Sequence, residues 1–181
     1  MKRAIVAPAI LGGAPLAELK HWLAISTSND DASLEALLRS ALETCEAFTG
    51  TMPLAATVEE TLPASRNWQG LHTCPVRAIL AVEGIPAEGS RITFAIEDYD
   101  IDLDPDSRGL VRLLKASAAG RIAVQFEAGL ADDWEELPDG LRHGILRLAA
   151  HHYRSRESGA DPTPPAAVAA LWRPWRRMRI A

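Results

Sequence analysis

Apolar and polar positions along this chain follow two rhythms. From Leu137 to Glu157, Leu141, Ile145, Leu148 and Ala149 recur at about 100° per residue, flanked by Leu146 and Tyr153. That spacing predicts the longest helix of the chain. Pro138 suits its first turn, where the N–H it lacks has no partner anyway. Asp132, Asp133, Glu135, Glu136 and Asp139 crowd its start, Arg154 and Arg156 its end, and both complement the helix dipole. Gly159 is its expected stop. The opposite face carries His143, Arg147, His151 and Arg154, a basic ridge that is either a solvated face or a surface for an acidic partner. His152 falls on the apolar side and reads as a core histidine.

The same rhythm predicts two helices near the start. Pro15–Ile25 aligns Leu16, Leu19 and Leu23. After the break at Ser26–Asn29, Asp31–Thr49 aligns Leu34, Leu37, Leu38, Ala41, Leu42, Cys45 and Phe48, with Asp30 or Asp31 as cap and Gly50 as stop. Two helices so closely joined are expected to pack as an antiparallel pair. Residues 1–14 read as an irregular arm. From Met52 to Gly129 the period is mostly two. Thr57–Leu62, Pro75–Val82, Arg91–Glu97, Tyr99–Leu103, Gly109–Leu114 and Gly120–Ala128 read as short strands, with Gly84–Gly89 a turn. Helices on either side of five or six such strands predict an α+β fold with a small inserted antiparallel sheet or sandwich. Residues 1–160 are expected as one domain, with helices over about 15–50, sheet over about 56–129 and the long helix over about 137–157. Residues 161–181 are expected as a tail. In it Pro162, Pro164 and Pro165 favour an extended start, Ala166–Trp172 has room for two helical turns, and Pro174 ends or kinks any helix.

Composition changes this picture in one place. The balance of 48% apolar and 24% charged residues is that of a globular protein, and a net charge of −5 argues against general nucleic-acid binding. The charge is uneven. Residues 161–181 hold four Arg against one Asp, leaving 15 basic against 23 acidic residues in the rest of the chain. Two of the five Trp also lie in the last ten residues. Trp172, Arg173, Trp175, Arg176, Arg177 and Arg179 therefore form the candidate interaction segment, because Trp and Arg are enriched at binding hot spots. Three outcomes are open for it: folding back on its own domain, docking on another protein, or touching an acidic membrane or nucleic-acid phosphate.

Other chemistry is thinner. Cys45 and Cys74 make no disulfide framework and suit a reducing compartment; Cys45, inside a helical stripe, reads as a buried, inert thiol. The start, with Lys2 and Arg3 before a short apolar run broken by Pro8, is a poor signal peptide, and no stretch reaches the length of a membrane span. The run Asp98, Asp100, Asp102, Asp104, Asp106 resembles a calcium loop, but Pro105 and Val111 stand where such a loop needs Gly and Glu. It reads as an acidic strand face ending in a turn, with a loosely held divalent ion as the alternative. His72 and Cys74, and His151 beside His152, lack a second pair of zinc ligands. There is no nucleophile elbow, kinase signature, phosphate-binding loop or dinucleotide fingerprint. No cofactor and no catalytic residue is expected. The rival reading is a small cytosolic enzyme or metal-binding domain built on Asp98–Asp106; a peripheral membrane protein anchored by the tail is a second.

Two blocks carry a family resemblance. LAELKHWLAISTSNDDASLEALLRSALETCEAFTG (16–50) resembles the N-terminal signature of tailed-phage head–tail connector (adaptor) proteins: a short L-x-x-L-K-x-x-L helix, an acidic cap and a long helix ending near Gly. IAVQFEAGLADDWEELPDGLRHGILRLAAHHYRSRE (122–157) is similar to their second signature: a strand ending in Ala-Gly, an acidic loop, a Pro-initiated helix and a closing Y-x-x-R-E. Together they cover about 70 of the 181 residues. The alanine-rich composition with a sheet between the helices also looks like adaptors of phage-like gene transfer agents. The resemblance implies a structural, non-enzymatic protein that assembles in the host cytoplasm and then sits in the neck of a virion or gene transfer agent particle. It implies a homo-oligomeric ring, of twelve copies, joining a portal protein to a stopper or tail-end protein, with DNA passing through the lumen unbound and no membrane contact. In such connectors a C-terminal segment reaches the portal, which places that expectation on residues 166–181.

Overall fold

The alternating middle of the chain pairs into antiparallel sheet, and it recruits the first residues to do so. These features come from a computed structural model, which describes residues 2–155 and 163–177. The chain divides into two compact units, Met1–Ala9 with Ala55–Leu130, and Ile10–Leu54 with Ala131–Ala181. The first is built of strands and the second of helices, so the α+β class holds. The described part of the tail, residues 163–177, belongs to the helical unit.

In the first unit, β1 (Lys2–Ala7), β2 (Ala56–Pro63), β3 (Gln69–Gly70), β4 (Val76–Ile85), β5 (Ile92–Thr93), β6 (Tyr99–Leu103), β7 (Gly109–Leu113) and β8 (Arg121–Ala128) form two sheets. One has the order β1-β2-β8-β4-β5, the other β3-β7-β6, and all named pairs are antiparallel. The central strand β8 buries Ile122, Val124 and Phe126, and β2 buries Val58 and Leu62 beside them. Strand period two turns these side chains to one side; on the other, Ala123 is buried and Gln125 and Thr61 are half-buried.

Three expectations change here. Residues 1–14 are not an irregular arm throughout, because Lys2–Ala7 pairs with β2, from Lys2↔Thr61 to Ala7↔Thr57. A strand is completed by a neighbour, and this neighbour lies far along the chain, so local pattern alone is silent about it. Arg91–Glu97 is not one strand: only Ile92 and Thr93 pair, and Ile96–Asp98 closes a 3₁₀ turn. Asp98 draws that turn in, its N–H donating to the Ala95 carbonyl and its carboxylate accepting from Lys115 Nζ at 2.7 Å. Two bulges in β4 also break the alternation of Pro75–Val82 and leave Leu80 exposed.

Glu60 is 0% exposed, inside the first unit on β2. Its carboxylate accepts the Thr73 N–H at 2.8 Å, the Thr73 hydroxyl at 2.7 Å and the His72 N–H at 2.9 Å. It ties the segment before β4 to the sheet. On the sheet surface, Arg91 reaches Glu59 at 2.6 Å and Glu83 at 3.1 Å, and its hydrogen bond holds the Glu59 carboxyl below the usual carboxylate range.

The helical unit contains α1 (Ala14–Leu23), α2 (Asp31–Thr49), α3 (Asp139–Ser155) and α4 (Ala166–Trp172). α2 packs on α1, α3 and α4. Leu19, Leu34, Leu38, Ala41, Leu141, Ile145 and Leu148 fill the core between them. α2 ends where Gly50 takes the left-handed conformation, φ +72°, that a side-chain-bearing residue adopts at a cost. Asp30 stands at the α2 cap position, but its side chain accepts the Tyr153 hydroxyl at 3.0 Å, and Asp31 pairs with Lys20 at 2.6 Å. α3 begins at Asp139, with Leu141 and Arg142 donating to the Pro138 carbonyl. Among the described residues α2, at 19 residues, is longer than α3, at 17. Arg156, Glu157 and Gly159 lie outside the described residues.

Cys45 sits in the α2 stripe, fully buried. Burial pushes its thiol from the ordinary 9.0 up to about 12, and the Glu46 carboxylate adds to the effect. A raised thiol value means the folded state holds the proton. Its contribution to stability is complete below pH 9 and is lost as pH rises from there through 12. A thiol reagent at pH 8 is expected to spare Cys45 in the native protein and to modify it in denaturant. Native modification at the rate of a free thiol would show that the stripe is open.

Candidate interface surfaces

The tail segment is positioned by two prolines and two glycines. Pro165 starts α4, its carbonyl accepting from Val168 and Ala169. Val168 and Trp172, four apart, turn inward and are buried. Across from them α3 carries Gly140 and Gly144, also four apart, so one face of α3 is a groove. A Cβ on Gly144 would lie 2.1 Å from Trp172 Nε1; one on Gly140 would lie 3.4 Å from the Leu171 carbonyl and 3.5 Å from Trp175 Nε1. Trp172 Nε1 donates to the Leu141 carbonyl at 3.3 Å, and its ring lies 5.9 Å from Phe48. Arg173–Trp175 continues as a 3₁₀ turn that accommodates Pro174. Arg177 then donates its N–H to the Thr49 carbonyl at 2.8 Å.

Of the three outcomes open for the tail, this is folding back. Trp172 is thus a correction to the candidate docking set: it is a core side chain. Arg173, Trp175 and Arg176 stay exposed, with the Arg176 guanidinium 5.6 Å from the Phe48 ring. Arg177 is half-buried, and Arg179 lies outside the described residues. The glycine pair Gly140-x-x-x-Gly144 was the available sequence signal for this packing. Glycine is unfavourable inside a helix, and two at one-turn spacing mark a close approach.

The basic ridge on α3 is divided. His143 meets the Trp22 ring of α1 edge-on at 5.3 Å, and the Arg147 guanidinium lies 5.9 Å from the same ring. Those two residues help hold α1, and Trp22 is the partner the sequence pattern did not single out. His151 and Arg154 are exposed and belong to the solvated face. His152 is half-buried; burial, and then the neighbouring His151, hold its imidazole below the usual value.

The acidic run is spent on local structure. Asp98 pairs with Lys115 at 2.7 Å and Asp100 with Arg112 at 2.7 Å. The Asp102 carboxylate accepts the Leu103 N–H, and Asp104 accepts the N–H groups of Asp106 and Arg108. Among the described residues no group of three or more His, Cys, Asp or Glu converges as a metal site would require. The metal-binding alternative therefore has no support in the geometry of the described residues. The Arg112 guanidinium also stacks 4.5 Å from the Trp68 ring, so the outer face of the smaller sheet is an ion-pair and cation–π ladder.

No protein-family model and no curated protein matches the chain. Solved structures do match it. A chain in the neck of an empty gene transfer agent particle, computed with C6 symmetry, is 27% identical with a TM-score of 0.79, covering 100% of this chain and 98% of that one. A chain in the virion of a native gene transfer agent particle is 28% identical with a TM-score of 0.76 and the same coverage. A chain in the neck of the native particle, computed with C12 symmetry, is 28% identical with a TM-score of 0.73, covering 98% of this chain and 97% of that one. Over its whole length the chain therefore shares its fold and more than a quarter of its residues with chains from gene transfer agent particles, two of them from the neck, the phage-like assembly to which its two sequence blocks point.

Proposed function

We propose that this protein is the structural head–tail adaptor of a phage-like gene transfer agent. Copies form a ring, of twelve, below the portal and join it to the stopper or tail-end protein. They assemble in the host cytoplasm and end in the particle neck. The observation that carries this reading is the whole-length likeness to neck chains of such particles, the symmetric arrangement of those necks included. The role is mechanical, with no catalytic residue. The excess of acidic residues outside the tail suits a lumen that lets DNA pass without gripping its phosphates.

Portal docking falls to Arg173, Trp175 and Arg176 on the outer side of the segment that Trp172 anchors, with Arg177 adding charge beside them; Arg179 stays in the candidate set by its sequence alone. His151 and Arg154 form a second, smaller basic surface. Because α4 is part of the helical core, truncation before it would confuse docking with folding, and surface charge reversal is the cleaner test. Co-sedimentation with the cognate portal, followed by electron microscopy, is expected to show rings of the wild type on the portal. The Arg173→Glu/Arg176→Glu variant, with unchanged melting temperature, is expected to bind at least about tenfold more weakly. A wild type that never associates with the portal sinks the adaptor reading. A double variant that binds like the wild type moves the docking surface elsewhere.

A further inference from the structure

A cyclic ring of identical subunits needs two different, complementary patches on each copy, one facing each neighbour. The strand unit has two long free strand edges among its described residues, and they differ as such patches should. β1 ends the larger sheet and β6 ends the smaller one, whereas the remaining end strands, β3 and β5, are two residues each.

Each edge shows the features of a covered strand left bare. On β1, Ile5 is 46% and Val6 52% exposed; on β6, Ile101 and Leu103 are each 51% exposed. A long apolar edge invites another strand, and a soluble chain ordinarily covers or blunts it. The hydrogen bonds Leu114 N–H to Asp98 carbonyl and Asp104 N–H to Arg108 carbonyl show that the even-numbered residues of β6 face β7. By alternation the backbone groups of Tyr99, Ile101 and Leu103 face outward. Asp102 occupies the Leu103 N–H at 2.8 Å, a local bond that an incoming carbonyl can replace.

Charge then selects the partner. β6 carries Asp100 and Asp102 and is flanked by Asp98 and Asp104; Lys115 and Arg112 pair with Asp98 and Asp100, so Asp102 and Asp104 are the carboxylates that a second β6 would bring together, which is unfavourable. β1 has no acidic residue and opens with Lys2 and Arg3. We infer that β1 of one copy pairs along β6 of the next, so that strand addition between the two sheets closes the ring. This inference rests on the ring reading above, and it gives Asp102 and Asp104 a part in assembly beside their local hydrogen bonds. The acidic strand admits β1 and refuses its own kind.

Cysteine cross-linking of rings assembled on the portal tests it. The native cysteines are both buried and give a low background. Four double variants, Ile5→Cys or Val6→Cys combined with Ile101→Cys or Leu103→Cys, sample both faces of β1 and two registers of β6. At least one pair is expected to give, under mild oxidation, a ladder of disulfide-linked species reaching the full ring. Mixing the corresponding single variants is expected to give dimers only. Rings seen by microscopy without a cross-link in any pair would overturn the strand pairing and leave the adaptor reading standing. Dimers from a single β1 cysteine variant alone would also overturn it, since that is β1 meeting β1. Absence of rings altogether would overturn both.

Discussion

Replacing Trp172 with alanine is expected to destabilise the protein by about 3–5 kcal/mol, the range for removing a fully buried Trp or Phe from a core. The side chain is 0% exposed, wedged against Gly144 and Phe48, and its indole N–H is held by the Leu141 carbonyl. Trp172→Phe, which keeps a ring and loses the N–H bond, is expected to cost less, about 1–2 kcal/mol. Gly144→Ala gives the more telling sign. In an exposed helix that change stabilises by about 1 kcal/mol, because Gly is the poorer helix former. Here the new Cβ would lie 2.1 Å from Trp172 Nε1 and 2.8 Å from its ring carbons, so the indole or all of α4 must move and stability falls. The two sites share one contact, so the double variant Gly144→Ala/Trp172→Ala is expected to cost less than the sum of the singles. Denaturant midpoints at constant slope measure all four. If Trp172→Ala stays within about 0.5 kcal/mol of the wild type, as an exposed substitution does, the tail is an arm and not core.

Replacing Glu60 with alanine is expected to cost about 2–4 kcal/mol. Three donors, two of them backbone N–H groups, lose a charged acceptor inside the strand unit. Unsatisfied buried donors cost about 1–3 kcal/mol each, offset in part by no longer burying a carboxylate. Thr73→Val removes the hydroxyl donor alone and is expected to cost about 1 kcal/mol. Glu60→Gln falls between, since its amide offers one acceptor where two were used. Amide hydrogen exchange gives the local readout. His72 and Thr73 are expected to lose protection in Glu60→Ala before the amides of β8 do. Unchanged protection at those two amides would mean that the segment is held by its packing and not by the carboxylate.

The two experiments probe different kinds of legibility. The helices of residues 14–49 were readable because their apolar residues repeat at helical spacing within one stretch, and Gly50 closes α2 for a reason visible in one residue. α4 was readable too, bounded by prolines on both sides. Glu60 was not. An isolated carboxylate in an alternating strand looks solvated, and only the return of His72 and Thr73 beside it supplies the donors that make burial tolerable. The acidic run was visible as a pattern and ambiguous as chemistry, because Lys115 and Arg112, which neutralise Asp98 and Asp100, arrive from later in the chain.

The tail shows the division most clearly. Its Trp and Arg density marked it as a contact segment, and the period of Val168 and Trp172 was there to be read. Which way those residues turn depends on whether a surface exists to receive them. That surface is the Gly140–Gly144 groove on α3 together with Phe48 of α2, assembled from positions distant in sequence. In the same way β1 became a strand because β2 offered an edge, and Trp22 became part of the core boundary because His143 and Arg147 lay across from it. Local pattern sets helix and strand through the periods of the backbone, and with them the α+β class and the two connector signatures. Tertiary structure decides which apolar side chain is buried and which charge is neutralised, since both depend on the neighbour that arrives.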